Sequence, residues 1–237
     1  MQGQEPSRKD VWKMFDQIAP TYDKVNRAMT FGIDIHWRKK LCQFLPKNRP
    51  LDLLDCATGT GDQILSLIQH GKNIQKIVGI DLAADMLKVG QEKLKKTAFS
   101  QNVTLQKASM AEIPFPDESF DCVTISFGIR NASDVPLCLR EIHRVLKKGG
   151  RLLILEGSIP SNRIIKAFHL IYLRHMLPRI GSWISKNKDA YVYLNQTIET
   201  FPCGSAFCKL LTEAGYSSAT FTPLTFGAVT IYQGDKS

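Results

Sequence analysis

The chain has 237 residues, 43% of them apolar, and carries 31 Lys and Arg against 22 Asp and Glu for a net charge of +9. That length and apolar content suit one α/β domain with decorations, spanning 1–237. No run of 18 or more apolar residues exists, and the polar start from Met1 to Asp10 lacks the apolar centre of a signal peptide. These features exclude a membrane-spanning helix and lead to the expectation of a soluble, cytoplasmic protein.

Six cysteines stand at 42, 56, 122, 138, 203 and 208 with no C-x-x-C pair. The reading is reduced core residues and no metal centre. The positive charge admits nucleic acid, an anionic membrane surface or no partner at all. It is spread from Arg38-Lys39-Lys40 through Lys93, Lys95 and Lys96 to Lys147, Lys148 and Arg151, and on into 163–188. No dense basic arm forms, so charge alone names no substrate.

In chain order, Asp10 to Ile18 and Asp34 to Leu45 show helical periodicity, joined by an irregular segment from Ala19 to Asn26. From Leu51 the rhythm becomes strand then helix. Strands are predicted at 51–56, 76–81, 103–107, 120–126 and 151–157, with helices near 61–70, 84–96 and 134–146. Asp85 and Asp134 sit where a carboxylate meets the orphan N–H groups of a helix start. Gly149-Gly150 reads as the stop of the last of these helices. Two helical patterns interrupt the rhythm over 160–200, the first unusually rich in large apolar side chains from Ile164 to Leu173. A helix near 204–214 and strands at 217–222 and 226–232 close the chain. Alternating strands and helices imply right-handed parallel βαβ units, and the closing strands supply an antiparallel edge.

In such a sheet, ligands bind at the carboxyl ends of the strands. The first strand runs into Thr58-Gly59-Thr60-Gly61-Asp62, and Asp81 ends the second about 20 residues later. Glycines let the backbone pass close to a ligand, and a carboxylate grips a ribose diol. The turn is not the G-x-G-x-x-G of dinucleotide enzymes. It is the form used for S-adenosylmethionine, which points to a methyltransferase.

Further stretches are more specific. Tyr22 to Trp37, Ser126-Phe127-Gly128-Ile129-Arg130-Asn131, Arg144 to Ser158 and His175 to Gly181 together resemble the UbiE-type C-methyltransferases of menaquinone and ubiquinone biosynthesis. The resemblance runs from about Trp12 to the end. It departs from the family pattern at Val25 and Thr30, at Asp34 where a histidine is usual (His36 stands two positions on), and at Lys148, Thr58, Ser109 and Met110.

The resemblance implies a Rossmann-like class I fold, with a seven-stranded mixed sheet, an antiparallel edge and an N-terminal helical lid over 1–48. It also implies a helical substrate cap over 160–200. It places Gly59, Thr60, Gly61, Asp81, Leu82, Ser109, Met110 and Ser126 around S-adenosylmethionine. Asp81 takes the ribose hydroxyls, while Ser109 and Met110 meet the adenine. The acceptor would be a ring carbon of a prenylated quinol, which is electron-rich only in the reduced form.

Arg130, always protonated, is assigned phenolate stabilisation or substrate positioning, and Asn131 a hydroxyl or a water. Tyr22 and His175 are further acid–base candidates. Tyr22, Asp23 and Asn26 would belong to the lid. The helix over 164–177, with Trp183, Tyr191 and Tyr193, would line an isoprenoid tail, and a basic, partly apolar face would dock at a membrane surface.

The expected reaction is C-methylation of demethylmenaquinol. A ubiquinol precursor, 2-methoxy-6-polyprenyl-1,4-benzoquinol, is the alternative acceptor. A nucleic-acid methyltransferase fits less well, since the fourth strand ends without an Asn/Asp-Pro-Pro-aromatic motif or a cysteine. A cofactor-binding subunit without chemistry, and a homodimer, stay open.

Overall fold

The central strands are buried on both sides, and successive side chains point to opposite faces, so each contributes to two cores. Leu54, Cys56, Val78, Ile80, Val123, Ile125, Leu152 and Ile154 face one side, and Leu51, Leu53, Ile77, Cys122, Leu153 and Leu155 the other. Each such side chain contributes roughly 1.5–3 kcal/mol by leaving water. The structure is a computed structural model that describes residue 8 and residues 10–47, 49–185 and 188–237, without the side chains of 182, 184, 185, 188, 189 and 191.

Seven strands form one sheet: β1 Leu51–Cys56, β2 Ile74–Asp81, β3 Val103–Lys107, β4 Phe120–Ser126, β5 Leu146–Gly157, β6 Ser218–Leu224 and β7 Val229–Asp235. Their order is β3-β2-β1-β4-β5-β7-β6. The first five are parallel, and β7 runs antiparallel to both β5 and β6. This is the class I S-adenosylmethionine-dependent methyltransferase fold expected from the sequence, with its antiparallel edge.

Among the described residues, ten α-helices surround the sheet: α1 Val11–Ile18, α2 Tyr22–Thr30, α3 Ile33–Leu41, α4 Asp62–His70, α5 Ala84–Leu94, α6 Val135–Val145, α7 Arg163–Ile171, α8 Leu177–Ser185, α9 Lys188–Thr200 and α10 Ser205–Glu213. A π-helical turn, Tyr172–Met176, joins α7 to α8. Helices α6 and α10 cover one face through Leu139, Ile142, Phe207 and Leu211. Helices α3 and α4 cover the other through Trp37, Leu41, Ile64 and Leu67. The segment expected to act as a lid therefore divides. Helix α3 belongs to a sheet layer, whereas α1 and α2 pack with α8 and α9 in a separate cluster built on Ile18, Val25, Met29, Leu173 and Leu177.

Three local expectations are corrected. The segment from Ala19 to Asn26 is not irregular, because α2 begins at Tyr22 and buries Val25 and Met29. Asp134 does cap α6, accepting from the Leu137 N–H at 2.8 Å. The Asp85 carboxylate instead pairs with Lys88, and the Asp85 N–H at the start of α5 is taken by Asp16 of α1 at 2.9 Å. Gly149-Gly150 does not stop α6, which ends at Val145. The glycines lie within β5, where the Gly149 N–H donates to the Lys236 carbonyl at 2.8 Å.

Candidate active site

β1 lies between β2 and β4, so the chain leaves it in opposite directions and a crevice opens at its carboxyl end. Two strand ends there hold left-handed backbone at non-glycine residues, Ala57 at φ 52° and Phe127 at φ 59°. Bulky residues rarely adopt this region, and such strain concentrates at functional sites. Gly128 permits the approach, because a Cβ on it would lie 2.4 Å from the Ala57 Cβ.

A cavity of about 470 Å³ lies at this crevice, within the size range of small-molecule sites. Gly59, Asp81, Leu82, Ser109, Met110 and Ser126 all line it, and Trp12 and Phe15 of α1 close it from above. Gly59 and Gly61 take left-handed φ of 54° and 77°, the conformation that the turn requires. The Asp81 carboxylate accepts from the Gly59 N–H at 2.8 Å and the Ala83 N–H at 2.9 Å. Burial pushes this carboxyl up, and those backbone donors oppose the shift. Each oxygen retains a lone pair for a diol. These residues fit S-adenosylmethionine: a carboxylate for the ribose, polar and apolar contacts at Ser109 and Met110, and open space beside Gly59.

Thr60 and Gly61 do not line this cavity. The Thr60 hydroxyl donates to Asp23 of α2 at 2.6 Å, and Lys93 bridges Asp23 at 2.7 Å and Asp62 at 2.5 Å. Arg27 joins Asp62 at 2.6 Å and also pairs with Asp34. Burial alone would raise the Asp62 carboxyl, but Lys93, Arg38 and Arg27 outweigh it and hold it below the usual carboxylate value. The turn is thus latched to α2. Asp34, where the family usually carries histidine, is a buried acid whose oxygens are committed to Arg27 and Thr30.

A second, narrower chamber of about 150 Å³ adjoins the first. Its walls come from α1, α2, α3, α7, α8 and α9, and include Met29, Trp37, Tyr172, Leu173, Leu177 and Leu194. Phe15, Tyr22, Phe127 and Asn131 line both spaces and mark their junction. Arg130 lines the apolar chamber, but Glu156 holds its guanidinium in a pair whose members are 4% and 1% exposed. A second bond from Arg130 Nη1 to the Phe127 carbonyl measures 2.9 Å. The Asn131 amide oxygen accepts from the Tyr193 hydroxyl at 3.3 Å. Burial is the largest influence on Tyr22 and raises its hydroxyl, so it stays a protonated donor.

His175 does not reach the site. It is exposed on the π-helical turn and lines neither space. The histidine that does line the chamber is His169, six residues earlier, whose pKa burial lowers and whose Nε2 is buried without a hydrogen-bond partner. Arg38 of α3, read from sequence as part of a basic run, is 7% exposed and lines the chamber with its guanidinium 5.3 Å from the Phe127 ring centroid. Tyr193 lines the chamber as expected, Trp183 is 86% exposed, and the Tyr191 side chain lies outside the described residues.

Comparison with known proteins places this geometry. The profile of the ubiE/COQ5 methyltransferase family matches residues 2–236. A demethylmenaquinone methyltransferase of Bacteroides fragilis is 39% identical over 228 residues, covering 96% of this chain and 93% of that protein. A ubiquinone/menaquinone biosynthesis C-methyltransferase UbiE of Geotalea daltonii is 39% identical over 229 residues, covering 95% and 96%. Among solved structures, a SAM-dependent methyltransferase of Thermotoga maritima shares the fold with a TM-score of 0.66 at 19% identity, covering 95% of this chain and 99% of that one.

Proposed function

The chain belongs to the ubiE/COQ5 methyltransferase family and is an S-adenosylmethionine-dependent methyltransferase, and on that premise we propose that it methylates a ring carbon of a prenylated quinol, demethylmenaquinol first. The observation that carries this reading is the apolar chamber that meets the cofactor cavity at Phe15, Tyr22, Phe127 and Asn131. A chamber walled by helices suits a hydrophobic ring rather than a polymer strand, which disfavours nucleic acid as the acceptor.

Bound S-adenosylmethionine supplies a methyl group already activated on a sulfonium, so the protein's task is alignment more than acid catalysis. Gly59, Asp81, Leu82, Ser109, Met110 and Ser126 would hold it, and the Thr60–Asp23 bond would close α2 over the turn. Because Glu156 cancels its charge, Arg130 acts in this reading by positioning the ring rather than by supplying a free cation. Asn131, linked to Tyr193, would orient a hydroxyl at the junction.

The outer face of α7 bears on how such a substrate arrives. Ile164, Phe168 and Ile171 lie at helical spacing and are exposed, with Arg163 and Lys166 among them. Phe31 and Phe226 are also exposed, at 73% and 81%. We assign this face to peripheral contact with an anionic bilayer, from which the prenyl tail is drawn. No helix among the described residues is long and apolar enough to cross a membrane.

The acceptor is tested by comparing kcat/KM for demethylmenaquinol and for a polyprenyl methoxybenzoquinol of equal tail length. A clear preference for the naphthoquinol supports the menaquinone reading, and the reverse preference replaces it with the ubiquinol precursor.

A further inference from the structure

We infer that Arg38 is the anion-holding residue of the apolar chamber, receiving the ionised hydroxyl oxygen of the aromatic diol. This deepens the quinol reading and rests on it. Arg27, Arg144 and Arg151 are more exposed than Arg38, yet each holds a carboxylate. Arg38 is buried and has no ion pair or side-chain hydrogen bond among the described residues, and its Nε is orphaned. The Phe127 ring compensates such a charge only in part.

The other groups around it are committed or neutral. On α3, Asp34 is taken by Arg27 and Thr30. After β4, Arg130 is cancelled by Glu156. On α4, Asp62 is shared by Arg27 and Lys93. Tyr22 of α2 and Tyr193 of α9 are protonated, and His169 of α7 is held neutral by burial. On β1, Asp55 shares a small recess with Arg38 and Thr58; its carboxyl is raised to about 6 and accepts from the Thr124 hydroxyl, and among the described residues no contact ion pair joins it to Arg38. That recess, about 20 Å³, is large enough for one water and far too small for a ligand. Asp62 and Asp55 act on Arg38 through space but neither makes a contact ion pair with it among the described residues, so its guanidinium is free to bond an anion that enters the chamber.

An ionised hydroxyl is what this chemistry needs, because its charge makes the adjacent ring carbon electron-rich. In this step the bound hydroxyl releases its proton to solvent, the oxygen keeps the electron pair, and no other bond changes. Tyr22, protonated and lining the same space, is placed to donate to that oxygen as well.

The test uses 4-nitrophenol, whose anion is coloured, titrated by absorbance against the full-length protein. Bound to wild type, the probe should ionise at a pH about 1–3 lower than in free solution, the effect of an opposite charge in contact. Arg38→Met should abolish this displacement, and so should Arg38→Gln, which keeps a polar chain. Circular dichroism melts establish that each variant is folded. The same ionisation pH in wild type and in either folded variant, or in wild type and free solution, overturns the assignment. The titration involves no methyl transfer, so a wild-type protein inert towards every quinol would refute the proposed function and leave this readout standing.

Discussion

Arg130 and Glu156 are buried against each other, and the consequence is asymmetric. Removing one member of a buried pair strands the other charge, at a cost of about 3–5 kcal/mol. Arg130→Ala should therefore lower stability by that order in urea unfolding and reduce turnover far more than cofactor affinity. Normal turnover would remove Arg130 from the site's work. Asp81→Ala should weaken S-adenosylmethionine binding by about 1.5–3 kcal/mol in calorimetry, the range for a charged hydrogen-bond partner, and unchanged affinity would sink the ribose assignment.

Asp55 adds a pH signature. It is fully buried and its carboxyl is raised to about 6, by burial first, against the Thr124 and Thr58 hydroxyls and Arg38. A folded pKa above the unfolded value means that the folded state binds the proton more tightly. Stability then falls as pH rises from about 4 to about 6, by on the order of 3 kcal/mol. Asp55→Asn keeps an oxygen to accept from Thr124. It should be more stable than wild type at pH 7 and lose that advantage by pH 4. A gain independent of pH would contradict this. Asp81 and the glycine turn were legible at this scale because strand, turn and carboxylate recur at fixed spacing. Arg38 was not, because in Arg38-Lys39-Lys40 it reads only as part of the chain's spread basic charge. The helical period shows otherwise: Asp34, Arg38 and Leu41 fall on one face, and that face is buried.

At the scale of elements, the latch ties α2 to the glycine turn. Asp23→Ala removes the acceptor of both Thr60 and Lys93. Hydrogen exchange should quicken over 22–30 while the amides of β1 and β4 stay protected. Uniform quickening would show that the latch holds the whole fold rather than α2 alone. The helix itself was missed from sequence because Pro20 and a polar stretch suggested a loop. Its signal was present in Tyr22, Val25 and Met29 at spacings of three and four. The helix stop expected at Gly149-Gly150 failed for a different reason. Those glycines serve the start of β5 against the chain end, a long-range pairing that local pattern does not announce.

Over the whole molecule, the parallel pairing of the first five strands follows from the alternation of strands and helices, and all seven strands were readable to within a few residues apart from the early start of β5. The chamber was not readable, because it arises where α1, α2 and α3 meet α7, α8 and α9, segments far apart in the chain. In the proposed docking the +9 charge acts beside the exposed apolar face of α7. The double variant Ile164→Ser/Phe168→Ser should lose co-sedimentation with anionic vesicles, while calorimetric affinity for S-adenosylmethionine stays unchanged. Undiminished vesicle binding would move the docking face elsewhere.

The most direct measurement incubates the pure protein with labelled S-adenosylmethionine and chemically reduced demethylmenaquinone, with the oxidised quinone in parallel. Label should enter the reduced ring alone, because only the quinol has a nucleophilic carbon to offer the activated methyl. No transfer to that quinol or to the benzoquinol precursor, or equal transfer to the oxidised form, would contradict the account.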